Sequence, residues 1–103
     1  MRIGFAQINT TVGDIRANRL RIFSAYQAAV SSGADLVLTP ELALTGYPPQ
    51  DLIFKSGFVP ETLESLNELQ GAVGTVPLLV GYVDINPSKT GKPFVNACAV
   101  LVK

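Results

Sequence analysis

The chain has 103 residues with eight basic and eight acidic side chains; 48% of residues are hydrophobic and only 16% charged. Balanced charge without a run of either sign removes the electrostatic basis for binding nucleic acid or an anionic membrane. One Cys and no His exclude a disulfide framework and a zinc site of the usual Cys/His kind, and the length fits one domain rather than two.

The segment from Met1 to Gln7 is too short and interrupted for a secretory leader, and no apolar run reaches the roughly 20 residues of a membrane span. A cytoplasmic setting is expected. The low charge points to a surface partly covered by something else, either another copy or the rest of a larger body.

Residues 3–8, with Ile3, Phe5, Ala6 and Ile8, read as a short buried strand. A turn follows over Asn9 to Gly13. Asp14 can then cap a helix, because its carboxylate accepts from the unpaired N–H groups of the first turn. Ile15, Ile22, Tyr26 and Ala29 repeat at helical spacing, and Leu20, Phe23 and Val30 widen that stripe. Arg16, Arg19, Ser24, Gln27 and Ser31 supply the wet side. Gly33 falls where a left-handed stop is wanted. Asp35 to Thr39 is apolar without alternation, as in a parallel strand buried on both faces.

Pro40, Gly46, Pro48 and Pro49 break regular structure over 40–58, with a helical turn expected at Gln50 to Phe54. A second helix is predicted from near Pro60, a residue suited to a first helical position. Glu61 and Glu64 lie at its positive end. Leu63, Leu66, Leu69 and Val73 form its expected core face, and Gly71 and Gly74 its end. Pro77–Val83 and Phe94–Val102 read as two further strands paired across the turn-rich stretch 86–93. The predicted class is α/β, in the order β-α-β-(loop)-α-β-β. The last apolar strand has no covering element behind it, an awkward end for a complete domain.

Glu41 is placed just beyond the C-terminal end of the second strand, the edge of α/β sheets where ligands bind. A carboxylate there can carry protons, although a loop carboxylate can equally be a solvated surface group. Cys98 sits inside the apolar run 94–102 and reads as a small buried residue with no basic neighbour to make it a thiolate. Lys55 reads as a solvated side chain. Gly71-Ala72-Val73-Gly74 is not a phosphate loop.

The segment Pro40-Glu41-Leu42-Ala43-Leu44-Thr45-Gly46-Tyr47-Pro48-Pro49-Gln50-Asp51-Leu52 resembles the first catalytic motif of the nitrilase superfamily, the carbon–nitrogen hydrolases. The double proline followed by Gln50-Asp51-Leu52 resembles more narrowly the glutaminase domains of glutamine-dependent NAD+ synthetases. Phe5-Ala6-Gln7-Ile8-Asn9, Val12-Gly13-Asp14-Ile15 with Asn18, and Gly33-Ala34-Asp35-Leu36-Val37 resemble the same domains; Val80-Gly81 and Asn96-Ala97 do so more loosely.

The resemblance implies an α-β-β-α sandwich, present here in part, and a Glu–Lys–Cys triad in which Glu41 is the general base. It implies that Tyr47 lines the pocket for L-glutamine, where its plainer reading is a packing aromatic in a turn. It also implies a synthetase domain of the same parent chain that receives the ammonia and uses ATP and magnesium, together with a homo-oligomeric parent. The family's Cys and Lys have no counterpart in these residues: Cys98 and Lys103 both precede the matching positions. No cofactor is expected in this chain, and the isolated segment is expected to be inactive, marginally stable and self-associating. Two alternatives remain at this stage, another amidase or carbamoylase of the superfamily and a non-catalytic α/β binding or assembly module. A flavodoxin-like nucleotide domain fits less well, because no glycine-rich loop follows the first strand.

Overall fold

Asp14 begins the first helix as its side chain requires, with Oδ1 accepting from the Ala17 amide at 3.1 Å. In the computed structural model, which describes residues 1–46, 52, 55–86, 88, 91 and 93–103, this helix lies between the first two of four strands. The elements are β1 (Ile3–Phe5), α1 (Ile15–Ser31), β2 (Leu36–Leu38), α2 (Phe58–Ala72), β3 (Leu78–Ile85) and β4 (Phe94–Leu101). The expected α/β class and element order are therefore present. The helical turn expected at Gln50 to Phe54 lies outside the described residues, Leu52 excepted.

The sheet has the order β1-β2-β3-β4. β1, β2 and β3 run parallel, and β4 returns antiparallel to β3 with Leu78 opposite Leu101 and Ile85 opposite Phe94. Partnered residues share a face, and the face alternates along each strand. One face therefore carries Gly4, Val37, Leu78, Val80, Ala99 and Leu101. This is the helix side: a Cβ built on Gly4 would lie 3.0 Å from the Ala29 Cβ of α1. Ile15, Ile22, Tyr26, Val37, Leu69, Leu78 and Val80 form the core there. The Tyr26 hydroxyl donates to the Val76 carbonyl at 2.7 Å and accepts from the Gly74 amide at 3.2 Å, tying α1 to the connection between α2 and β3. Arg19 and Glu68 join the outer surfaces of the two helices at 3.1 Å.

The other face carries Ile3, Phe5, Leu36, Leu38, Leu79, Cys98 and Val100. Most of it is open, with Phe5 68% and Val100 62% exposed. This corrects the expectation that β1 is buried and that β2 is buried on both sides: Ala6 and Val37 are buried, while Ile3 is exposed and Leu36 and Leu38 are half-buried. The apolar pattern states that both faces need cover, but the two helices cover only one. Leu20 is likewise exposed, so the stripe on α1 is narrower than its spacing implies.

α2 starts at Phe58, two residues before Pro60, after Gly57 at φ 86°. Its buried residues are Phe58, Val59, Thr62, Ser65 and Leu69, whereas Leu63 and Leu66 are half-buried. Thr62 can occupy a core position because its hydroxyl donates to the Phe58 carbonyl at 2.9 Å, so no polar atom is stranded. Gly71 lies inside the last turn rather than ending the helix, which closes at Ala72. Gly33, at φ 93°, follows α1 as expected.

Candidate functional site

Glu41 stands three residues beyond the C-terminal end of β2, in a turn laid over the open side of β3. Its seat is Gly81. A Cβ there would lie 2.5 Å from the Leu42 nitrogen and 3.0 Å from the Pro40 carbonyl oxygen. Only glycine lets the two backbones approach this closely. Around the seat the Leu44 amide donates to the Gly81 carbonyl at 3.2 Å, and the Gly81 amide donates to Thr39 Oγ1 at 3.2 Å.

The far end of the turn is held from α1. Asn18 is fully buried; its Nδ2 donates to the carbonyls of Thr11 and Leu44 at 2.8 and 3.1 Å, and its Oδ1 accepts from the Thr11 amide at 2.8 Å. The Gly13 amide donates to the Thr45 carbonyl at 2.9 Å. Gly46, at φ 79°, passes so close to the chain at Val12 that a Cβ would lie 2.7 Å from the Val12 Cα. Leu42, Ala43, Leu44 and Thr45 are all buried. Leu42 adopts φ 51°, a left-handed conformation that costs a non-glycine residue about 1–2 kcal/mol. The segment is therefore a clamped turn whose one exposed acidic side chain is Glu41.

The Glu41 carboxylate accepts at Oε1 a hydrogen bond from Asn96 Nδ2 of β4. Asn96 lies opposite Val83, two residues from Cys98, which lies opposite Gly81; Asn96, Cys98 and Gly81 thus share the open face. Cys98 is exposed rather than buried, which corrects its reading as a buried residue: alternation turns it to the uncovered side. Lys55 and Lys103 are exposed, with the Lys103 amide bound to the Gly74 carbonyl at 3.0 Å. Tyr47 lies outside the described residues, so its expected place beside Glu41 has no geometry here. Sequence reasoning missed Asn96 and Asn18 as partners of this turn. The signal for Asn96 was a polar amide interrupting the apolar run of β4.

Among the described residues, no group of three or more His, Cys, Asp or Glu side chains could hold a metal ion. No described helix is long and apolar enough to cross a membrane. The cleft of about 380 Å³ lined by Phe23, Tyr26, Val30 and Thr75 belongs to the helix layer and does not include Glu41. Tyr82, on the helix side, has its phenol pushed up from the ordinary tyrosine value, chiefly by burial and then by the Asp84 carboxylate 3.0 Å from its hydroxyl.

The clamped turn presents its carboxylate beyond the C-terminal end of β2, the edge at which α/β sheets bind ligands. The sequence matches the carbon–nitrogen hydrolase family over residues 2–101, and the chain belongs to that family. It is 45% identical over 82 residues to a glutamine-dependent NAD(+) synthetase of Synechocystis, covering 79% of this chain and 15% of that protein. It is 35% identical over 102 residues to the Xylella fastidiosa protein of the same name, covering 98% of this chain and 18% of that one. The chain thus spans less than a fifth of the length of these relatives.

Among solved structures, a glutamine-dependent NAD(+) synthetase from Cytophaga hutchinsonii matches 99% of this chain and 17% of its own, with a TM-score of 0.87 and 22% identity. An amidase from Nesterenkonia sp. matches 82% of this chain and 32% of its own, with a TM-score of 0.69 and 28% identity. The fold is that of part of a nitrilase-type domain.

Proposed function

We propose that these residues are the N-terminal portion of the glutaminase domain of a glutamine-dependent NAD+ synthetase, with Glu41 as its general base. The observation that carries this reading is Glu41 itself, exposed on a backbone clamped by Gly81 and Asn18. A side chain held this way is oriented before substrate arrives, which general-base work requires. The relatives named above support the synthetase branch.

In this reading a Cys and a Lys from outside these 103 residues complete the triad. Glu41 takes the thiol proton, and the sulfur attacks the amide carbon of L-glutamine. The C–N bond breaks as the nitrogen receives that proton and leaves as ammonia. Water then cleaves the thioester to glutamate and restores the thiol. Tyr47 lines the glutamine pocket. A synthetase domain of the same parent takes the ammonia and uses ATP and magnesium in the cytoplasm. The parent is a homo-oligomer, and the open sheet face takes the second sheet of the sandwich.

The test compares ammonia release from glutamine by the parent and by the isolated chain. The parent releases ammonia, and Glu41→Gln lowers this by about two to four orders of magnitude, the scale of losing a general base. The isolated chain releases none. Ammonia release by the isolated chain, abolished by Glu41→Gln, would overturn the incomplete site. A second reading, a stand-alone amidase, draws on the Nesterenkonia match; a parent that lacks an ATP-using domain decides for it.

A further inference from the structure

We infer that Asn96 is the positioning residue for Glu41: its amide fixes one carboxylate oxygen so that the other is presented to the reacting proton. The inference rests on the reading of Glu41 as a general base and adds a residue to it.

The chemistry allows one orientation of the pair. An ionised carboxylate only accepts hydrogen bonds, so the Asn96 group that faces Oε1 is the NH₂. Among the described residues Oε2 accepts no hydrogen bond. The carboxylate is thus tethered at one oxygen and available at the other. The two residues are 55 positions apart and are joined through Gly81, which seats the Glu41 turn and belongs to the strand pair that carries Asn96.

A role in folding does not account for the contact. Both side chains are exposed, and an exposed polar contact contributes little to stability. Fixing a carboxylate that would otherwise rotate about its own side-chain bonds is the remaining consequence. A general base must lie within hydrogen-bond reach of the proton it takes, and small misplacements of a reacting group cost up to about 100-fold in rate.

The parent protein provides the experiment, with Asn96→Ala and the isosteric Asn96→Asp assayed in two reactions. With glutamine as nitrogen source, both variants should lose at least about ten-fold in kcat at unchanged KM. With added ammonia in place of glutamine, synthesis should keep its wild-type rate, since the base is then bypassed. Asn96→Asp should do no better than Asn96→Ala, because it keeps the shape but replaces the donor with a second carboxylate. Wild-type kcat with glutamine in either variant overturns the inference, as does a rise in KM alone or a parallel fall in the ammonia reaction. Failure of the underlying reading looks different: Glu41→Gln itself would then leave glutamine turnover intact. In the 103-residue chain the pair is checked without turnover. The Asn96 side-chain NH₂ resonances, assigned by their loss in Asn96→Asp, should shift in Glu41→Ala; unmoved resonances overturn the contact.

Discussion

On the helix side of the sheet, Val37, Leu78 and Val80 of the central strands have no exposed surface, whereas on the opposite face Phe5 and Val100 of the two edge strands keep more than half of theirs. The residue types hardly differ. What differs is cover: α1 and α2 close one side, and the Glu41 turn closes only a patch of the other, at Gly81. Burial is therefore a property of the layer laid on a strand, and an apolar strand records the need for that layer without supplying it. The polar groups of the proposed site lie on the less covered side, where a further layer would meet them.

The largest expected effect breaks the patch itself. Gly81→Ala places a Cβ against backbone atoms of Pro40 and Leu42 that have no free rotor to yield, so the turn must lift. Overpacking of this kind costs about 3 kcal/mol; a urea midpoint within error of wild type would show that the seat is soft. The next prediction sets the two faces against each other with one chemical change. Val80→Ala should cost about 2 kcal/mol by leaving a cavity in the helix-side core, whereas Val100→Ala should stay within about 0.5 kcal/mol. Equal losses would mean that the open face is covered in solution, by another copy, and the Val100 loss would then grow with protein concentration.

The smallest effect lies at the alkaline end. The raised Tyr82 pKa means that the folded chain holds the phenol proton more tightly than the unfolded chain does. Its contribution to stability is fully present below the ordinary tyrosine pKa and is lost as pH rises through the folded value. The difference in phenolate absorbance between wild type and Tyr82→Phe should develop above pH 10; a step at or below that value would contradict burial as the cause.

Much of this was legible in the sequence where one residue decides a local structure. Asp14 caps α1 because a carboxylate meets free amides, Gly33 follows it because a left-handed turn favours glycine, and Glu41 falls at the strand edge because the apolar run ends just before it. The phase of α2 was not legible: Thr62 enters the core by bonding to its own helix backbone, which cancels the polarity on which the pattern was read. The exposure of Cys98 depended on which side of β4 the helices lie. The pairing of Asn96 with Glu41 depended on the register of β4 against β3, which no local spacing records. Tyr47 was assigned through resemblance, and its geometry lies outside the described residues.

The seat at Gly81 has a consequence for change in the turn. The close approaches at the seat run between main-chain atoms and one absent side chain, and the Thr39 and Asn18 side chains that flank it bond to backbone groups, so the side chains of Leu42, Ala43 and Leu44 make none of these contacts. Leu42, Ala43 and Leu44 could be exchanged for others of similar bulk while Glu41 keeps its place, much as a keystone can be recut provided its bed is left alone. The segment can therefore drift in sequence without moving the Glu41 carboxylate.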